Sequence, residues 1–209
     1  MRIAETYDEH LADGDGAFTA YGEALKEDAT NEKALNALES LARRMGAWTQ
    51  FVQLVESQVE LIPSEYVARD FYLRVARVYD EEMSAGGDAI ERHRKVLEID
   101  PDHEASILAL DRLYQQAGQW SELAEILQLR VERAEAEDQV DLLMRLGNLN
   151  ESALENIQDA IGCYREVLAI RADHEDAIDA LRRMFAAGHE QVQIGEILEP
   201  IYIAQNENE

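Results

Sequence analysis

Residues 103–120 read HEASILALDRLYQQAGQW, and the chain contains this pattern three times. NEKALNALESLARRMGAW begins at Asn31, and HEDAIDALRRMFAAGHE begins at His174. Leu38, Leu110 and Leu181 correspond, 72 and 71 positions apart. Gly46 and Gly118 match and are followed two places on by Trp48 and Trp120. In the third copy Gly188 arrives one residue early and the Trp is missing. A fixed period is the mark of a repeat architecture.

The stretches between these copies repeat as well. AETYDEHLADGDGAFTAYGEAL starts at Ala4, ARVYDEEMSAGGDAIERHRKVL at Ala76 and GNLNESALENIQDAIGCYREVL at Gly147. Ala17, Ala89 and Ala160 align, as do Leu25, Leu97 and Leu168. The long period therefore holds two units of about 36 residues, which predicts six units near 1–30, 31–66, 67–102, 103–138, 139–173 and 174–209. Each unit reads as two amphipathic helices, A and B, because apolar residues recur at three- and four-residue spacing, as in Leu123, Ile126, Leu127 and Val131. Short Gly-bearing turns such as AGQ and AGGD separate the two helices, where a left-handed backbone suits glycine. One helix pair cannot bury its apolar stripe alone, so successive pairs are expected to stack into an all-α solenoid of about twelve helices.

The junction KVLEIDPDHEA, Lys95 to Ala105, brings Asp100, Asp102, His103 and Glu104 together. Four such donors could bind a metal, but the matching stretches EALKEDATNEK and EVLAIRADHED keep the set only in weakening form. A helix boundary explains that better. Pro101 suits a boundary, Asp102 is the expected N-cap, and Glu104 favours the positive start of the next helix.

Composition narrows the function. The net charge of −25 argues against nucleic acid or an anionic membrane as partner, since their phosphates require Lys and Arg. One cysteine, Cys163, excludes an internal disulfide. The N-terminus lacks the apolar core of a secretion signal, and no apolar run approaches the ~18 residues of a membrane helix. A cytoplasmic location is expected. HExxH, GxxxxGK[ST] and GxGxxG are all absent. Cys163 lies inside a predicted B helix and reads as a buried small hydrophobe. Trp48 and Trp120 read as covers for the turn between their own helices, and Tyr7 and Tyr79 as core. No cofactor or metal is expected.

The residues resemble the tetratricopeptide repeat family. Ala76 and Tyr79 in helix A, Ala89 and His93 in helix B, and the closing VLEIDP follow its pattern most closely. The first unit keeps Ala4, Tyr7, Ala17 and Tyr21. The fifth keeps Gly147, Ala160 and Tyr164 but has Asn150 in place of the helix-A aromatic. The even units are looser and look like a divergent variant with Gly46–Trp48 and Gly118–Trp120. The resemblance covers nearly the whole chain and implies a single domain, a right-handed superhelix and a non-catalytic scaffold that binds another protein or peptide. It also implies that the A helices line a concave groove. Position by position, the groove is expected to present Ser40, Arg43 and Arg44, then Arg77, Asp80 and Glu81, then Arg112, Gln115 and Gln116, then Asn148, Glu151 and Ser152, and finally Arg183 with Arg182 beside it. The clamp of chaperone-binding members is not found, since Asn148 is preceded four residues earlier by Met144 rather than Lys.

Arginine thus recurs along the expected inner face of an acidic chain, and the predicted A helices are about half as acidic per residue as the rest. Two readings stand side by side. The arginines receive an acidic peptide or partner face, because a guanidinium holds a carboxylate with two hydrogen bonds. Alternatively they pair with their own neighbours Asp80, Glu81 and Asp111. A different function, end-to-end assembly through the solenoid termini, is suggested by the very apolar last helix VQIGEILEPIYIA. That helix, and the short first one, lead us to expect a piece of a longer repeat protein.

Overall fold

The computed structural model describes Ala4, Thr6, Tyr7 and residues 13–206. Among these the regular structure is entirely helical, in eleven helices. They are α1 (Gly14–Glu27), α2 (Glu32–Met45), α3 (Trp48–Val59), α4 (Glu65–Arg77), α5 (Gly86–Ile99), α6 (Glu104–Ala117), α7 (Trp120–Val131), α8 (Ala136–Ser152), α9 (Ile157–Ile170), α10 (Glu175–Ala186) and α11 (Gln191–Asn206). Helix α4 runs on into a π-helical turn, Val78–Glu82. The first expected A helix, residues 2–12, lies outside the described residues apart from Ala4, Thr6 and Tyr7.

The chain forms two compact units, Met1–Leu113 and Tyr114–Glu209. In the first, α2 to α5 each pack on the helix before them, around Leu25, Leu38, Leu41, Phe51, Val55 and Val75, all essentially inaccessible. In the second, α8 to α11 do the same around Leu127, Leu143, Ile161, Tyr164, Leu181, Met184 and Ile194. Full burial of one such leucine contributes about 2 kcal/mol, so the repeated apolar stripe is what holds the stack together. Ala17, Ala89 and Ala160 are completely buried, as expected of close helix contacts.

Local signals place the helix ends. The Asn31 Oδ1 accepts the Ala34 N–H at 3.0 Å at the start of α2. The His174 Nδ1 accepts the Ala177 N–H at 3.3 Å at the start of α10. Between them in the repeat, the His103 Nδ1 accepts the Ser106 N–H at 3.2 Å, and α6 begins at Glu104. The cap of α6 is therefore His103, and the expectation for Asp102 is corrected by one residue. A ring nitrogen reaches the third amide of the helix as the shorter Asn side chain does. The donors of KVLEIDPDHEA serve a helix junction.

The turns divide into two kinds. Gly46 and Gly118, both with φ near 67°, close α2 and α6 in the left-handed conformation that glycine adopts without strain. The turns after α4 and α8 differ from expectation. Their positive φ falls on Ser84 (52°) and Glu155 (54°), while Gly86 and Gly87 already lie in α5.

Candidate functional site

Helices α2 and α4, with the π turn, frame a hollow of about 310 Å³ in the first unit. It is lined by Glu39, Arg43, Trp48, Arg74, Arg77, Val78, Glu81 and Glu82. Two of its arginines, Arg43 and Arg77, were expected in a groove. Arg74 was not, although it sits one helical turn before Arg77 and so shares its face. The Arg43 guanidinium lies 3.7 Å from Glu39 and 3.8 Å from Glu82, and stands over the Trp48 ring at 5.9 Å. Arg74 is held more firmly, 3.1 Å from Glu39 and donating to the Asn36 Oδ1 at 2.7 Å. Arg77 is exposed and, among the described residues, makes no ion pair. Arg44 and Ser40 are exposed on α2.

Several of the other expected positions are tied to neighbouring helices. Arg112 on α6 donates to Asp80 of the π turn, which is one of the pairings the sequence left open. In the second unit Arg145 donates to the Gln115 Oε1 at 3.3 Å, and Arg183 lies 3.5 Å from Glu151. Asn148 accepts the Tyr164 hydroxyl at 2.9 Å, and Glu151 accepts it at 2.7 Å. Gln116 is exposed on α6. A rule emerges that residue spacing could not give. A cation or amide on one A helix reaches a polar group about 30 to 39 positions away, on the adjacent A helix. Solvent-exposed pairs of this kind are worth about 0–1 kcal/mol each, so a partner's carboxylate can replace the internal one at little cost.

Several singled-out side chains are structural. Trp48 packs edge-on against Phe51, with centroids 6.0 Å apart, and the Trp120 ring covers Gly118 of its own turn. Cys163 is buried, and burial pushes its thiol up to about 11, so it is a poor nucleophile at neutral pH. His93 is 3% exposed and its Nδ1 lies 3.0 Å from the Ser106 Oγ, which in turn lies 3.0 Å from the His103 Nδ1. The Ser106 hydroxyl serves His93, since the single Nδ1 lone pair of His103 is taken by the Ser106 N–H. Burial pushes His93 down to about 4, against a smaller opposing pull from Asp80. Among the described residues no group of three His, Cys, Asp or Glu side chains is placed to hold a metal ion. No helix among them is long and apolar enough to cross a membrane.

A family model described as tetratricopeptide repeat matches residues 106–139, from α6 through the start of α8. The same two-helix pattern recurs along the chain in the structure as in the sequence. Over residues 106–139 the chain is similar to the tetratricopeptide repeat family. It is also similar to several solved structures, two of them described as TPR or TPR-like. The MamA protein is 16% identical with a TM-score of 0.46, over 84% of this chain and 92% of that one. YrrB, described as a TPR protein with an unusual peptide-binding site, is 14% identical with a TM-score of 0.46, over 86% and 88%. A putative kinesin light chain from Podosopora anserina, with TPR-like repeats, is 20% identical with a TM-score of 0.43, over 86% and 97%. No curated protein matches the sequence.

Proposed function

We propose that this tetratricopeptide-like chain is a non-catalytic scaffold that binds another protein. Its contact surface is the A-helix face, where Arg43, Arg74 and Arg77 converge beside Trp48 and take an acidic segment of the partner. The observation that carries this reading is the hollow between α2 and α4 in the first unit. Three guanidinium groups meet there in a chain whose net charge is −25, and Arg43 and Arg77 point to solvent. Arg43 is 67% exposed with acidic contacts at 3.7 Å or longer, so an incoming carboxylate has little to displace. The ring of Trp48, packed on Phe51, also lines the hollow, and tryptophan and arginine are both enriched among the residues that dominate protein contacts. Arg112 extends the proposal within the first unit, and Gln115, Gln116, Asn148 and Arg183 offer a polar A-helix surface of the second unit, taken by itself, with a smaller share each.

The test is charge reversal. In pull-down from native lysate followed by titration of the purified partner, Arg43→Glu with Arg77→Glu is expected to weaken binding by at least tenfold. Unchanged affinity in a folded double variant sinks the groove reading.

A second reading, self-association, has its own support. Helices α10 and α11 frame an apolar hollow of about 430 Å³ that includes Phe185, Leu198, Tyr202 and Ile203. Val192 is 78% exposed on the same helix pair. Mass measured over a hundredfold concentration range separates the readings, because assembly through this face makes it rise and Phe185→Glu cancels the rise.

A further inference from the structure

In the first unit a three-residue cluster fills the space between α3 and α5. The Tyr79 ring lies under the Arg92 guanidinium at 5.8 Å, with burial and the nearby Glu56 pushing its hydroxyl pKa up. The Arg92 Nε donates to the same Glu56 at 2.7 Å, and its terminal nitrogen reaches Glu91 at 3.1 Å. The repeat carries each of these positions into the second unit. Tyr79 becomes Asn150, Arg92 becomes Cys163, Glu56 becomes Gln128 and Glu91 becomes Gly162. All four replacements are smaller or lose a charge, and all four line one hollow of about 730 Å³ against α7, α8 and α9. That volume lies within the roughly 300–1,000 Å³ of ordinary ligand clefts. The walls also carry Glu125, Glu132, Asp159 and Glu166 against a single Arg165. Asn150, only 5% exposed, sets its amide in the floor beside the protonated thiol of Cys163.

We propose that this hollow is a binding site for a cationic segment of a partner protein, with an arginine side chain standing where Arg92 stands in the first unit. The argument rests on the fold's own precedent. The same backbone frame, one repeat earlier, is occupied by a guanidinium held on a carboxylate and an aromatic ring. The second unit keeps the frame, removes the occupant and surrounds the space with carboxylates. A guanidinium matches this lining because its planar fork can meet two carboxylates at once, and its stem can lie along Leu129 and Leu146. The site is separate from the arginine-lined hollow of the first unit and takes the opposite charge.

The test must distinguish this site from general attraction to a chain of charge −25. The variant Asn150→Tyr with Cys163→Arg and Gln128→Glu rebuilds the first unit's cluster in the second and leaves the net charge unchanged. The probe is a blocked hexapeptide of alternating arginine and alanine, titrated into the full chain at physiological salt by calorimetry. Expected are one-to-one binding to the natural chain, at least tenfold weaker binding to the rebuilt variant, and at least tenfold weaker binding of the citrulline analogue. Equal affinity for the natural and rebuilt chains overturns the proposal. Should the rebuilt chain fail to fold, nuclear magnetic resonance on the natural chain decides the matter. Shifts of the Asn150 and Gln128 side-chain amides on adding the peptide support the site. Shifts confined to other residues, or no saturation, overturn it.

Discussion

Helix pairs α4–α5 and α8–α9 hold the same place in successive copies of the repeat, yet they fill it differently. The second pair has Tyr164 completely buried against Gly147, so closely that a β-carbon on Gly147 would stand 2.7 Å from the ring. The first pair has the smaller ring of His93 and the methyl of Ala76 at these positions. The hydroxyl of Tyr164 escapes the core to reach Asn148 and Glu151 at its rim. The imidazole of His93 stays inside and is satisfied by Ser106, itself fully buried. One backbone thus supports two cores, and the first of them buries an imidazole whose protonation opposes folding.

That contrast makes acid the sharpest probe. The folded first unit holds His93 neutral down to about 4, whereas the unfolded chain protonates it near its ordinary 6.5. The associated stability is fully present above pH 6.5 and is lost as pH falls towards 4, by about 3 kcal/mol at most. Trp48 reports on the first unit and Trp120 on the second. In single-Trp variants, acid unfolding followed at Trp48 is expected to begin at higher pH, and His93→Gln is expected to flatten the difference. Coincident transitions in the natural chain would show that the two cores do not differ in this way.

The next effect in size is steric. Gly147→Ala drives a methyl into a ring that has no free side to move to, which costs about 1–3 kcal/mol in urea unfolding. Adding Tyr164→His transplants the first unit's pair and is expected to recover part of that loss. Without any recovery, the complementarity of the two positions is not the reason for the glycine. The smallest effect lies in the turns. Glu155 at φ 54° and Ser84 at φ 52° occupy a region that suits glycine. Glu155→Gly and Ser84→Gly are each expected to stabilise by about 0.5–1 kcal/mol, and equally, since here the two copies agree.

Much of the fold was legible because it is written in local terms. The helices α2 and α6 begin and end where the periodicity and the glycines at 46 and 118 put them. The recurring Asn31, His103 and His174 marked three helix starts, although the cap of α6 proved to be His103 rather than its neighbour Asp102. The candidate site was legible only in outline. Arg43, Arg77, Arg112 and Arg183 could be assigned to A helices, but not their companions. Arg74 went unnoticed because the family pattern counts from the small residue of helix A, and Arg74 lies before it. The Asn150 departure from that pattern was visible as a letter. Its meaning required Cys163, Gln128 and Gly162, which lie on two other helices.

The division has a physical basis. Periodicity, capping and turn preference act over three or four residues, so the sequence by itself determined an all-α repeat, its register and most of its helix ends. Ion pairing and cavity formation act between side chains some 30 positions apart. Their outcome depends on which long side chain reaches which neighbour and on what volume is left unfilled. Only the tertiary structure could join Arg112 to Asp80 and draw Tyr164 onto Asn148. It alone shows that four replacements, scattered over three helices, line a single acid-lined hollow.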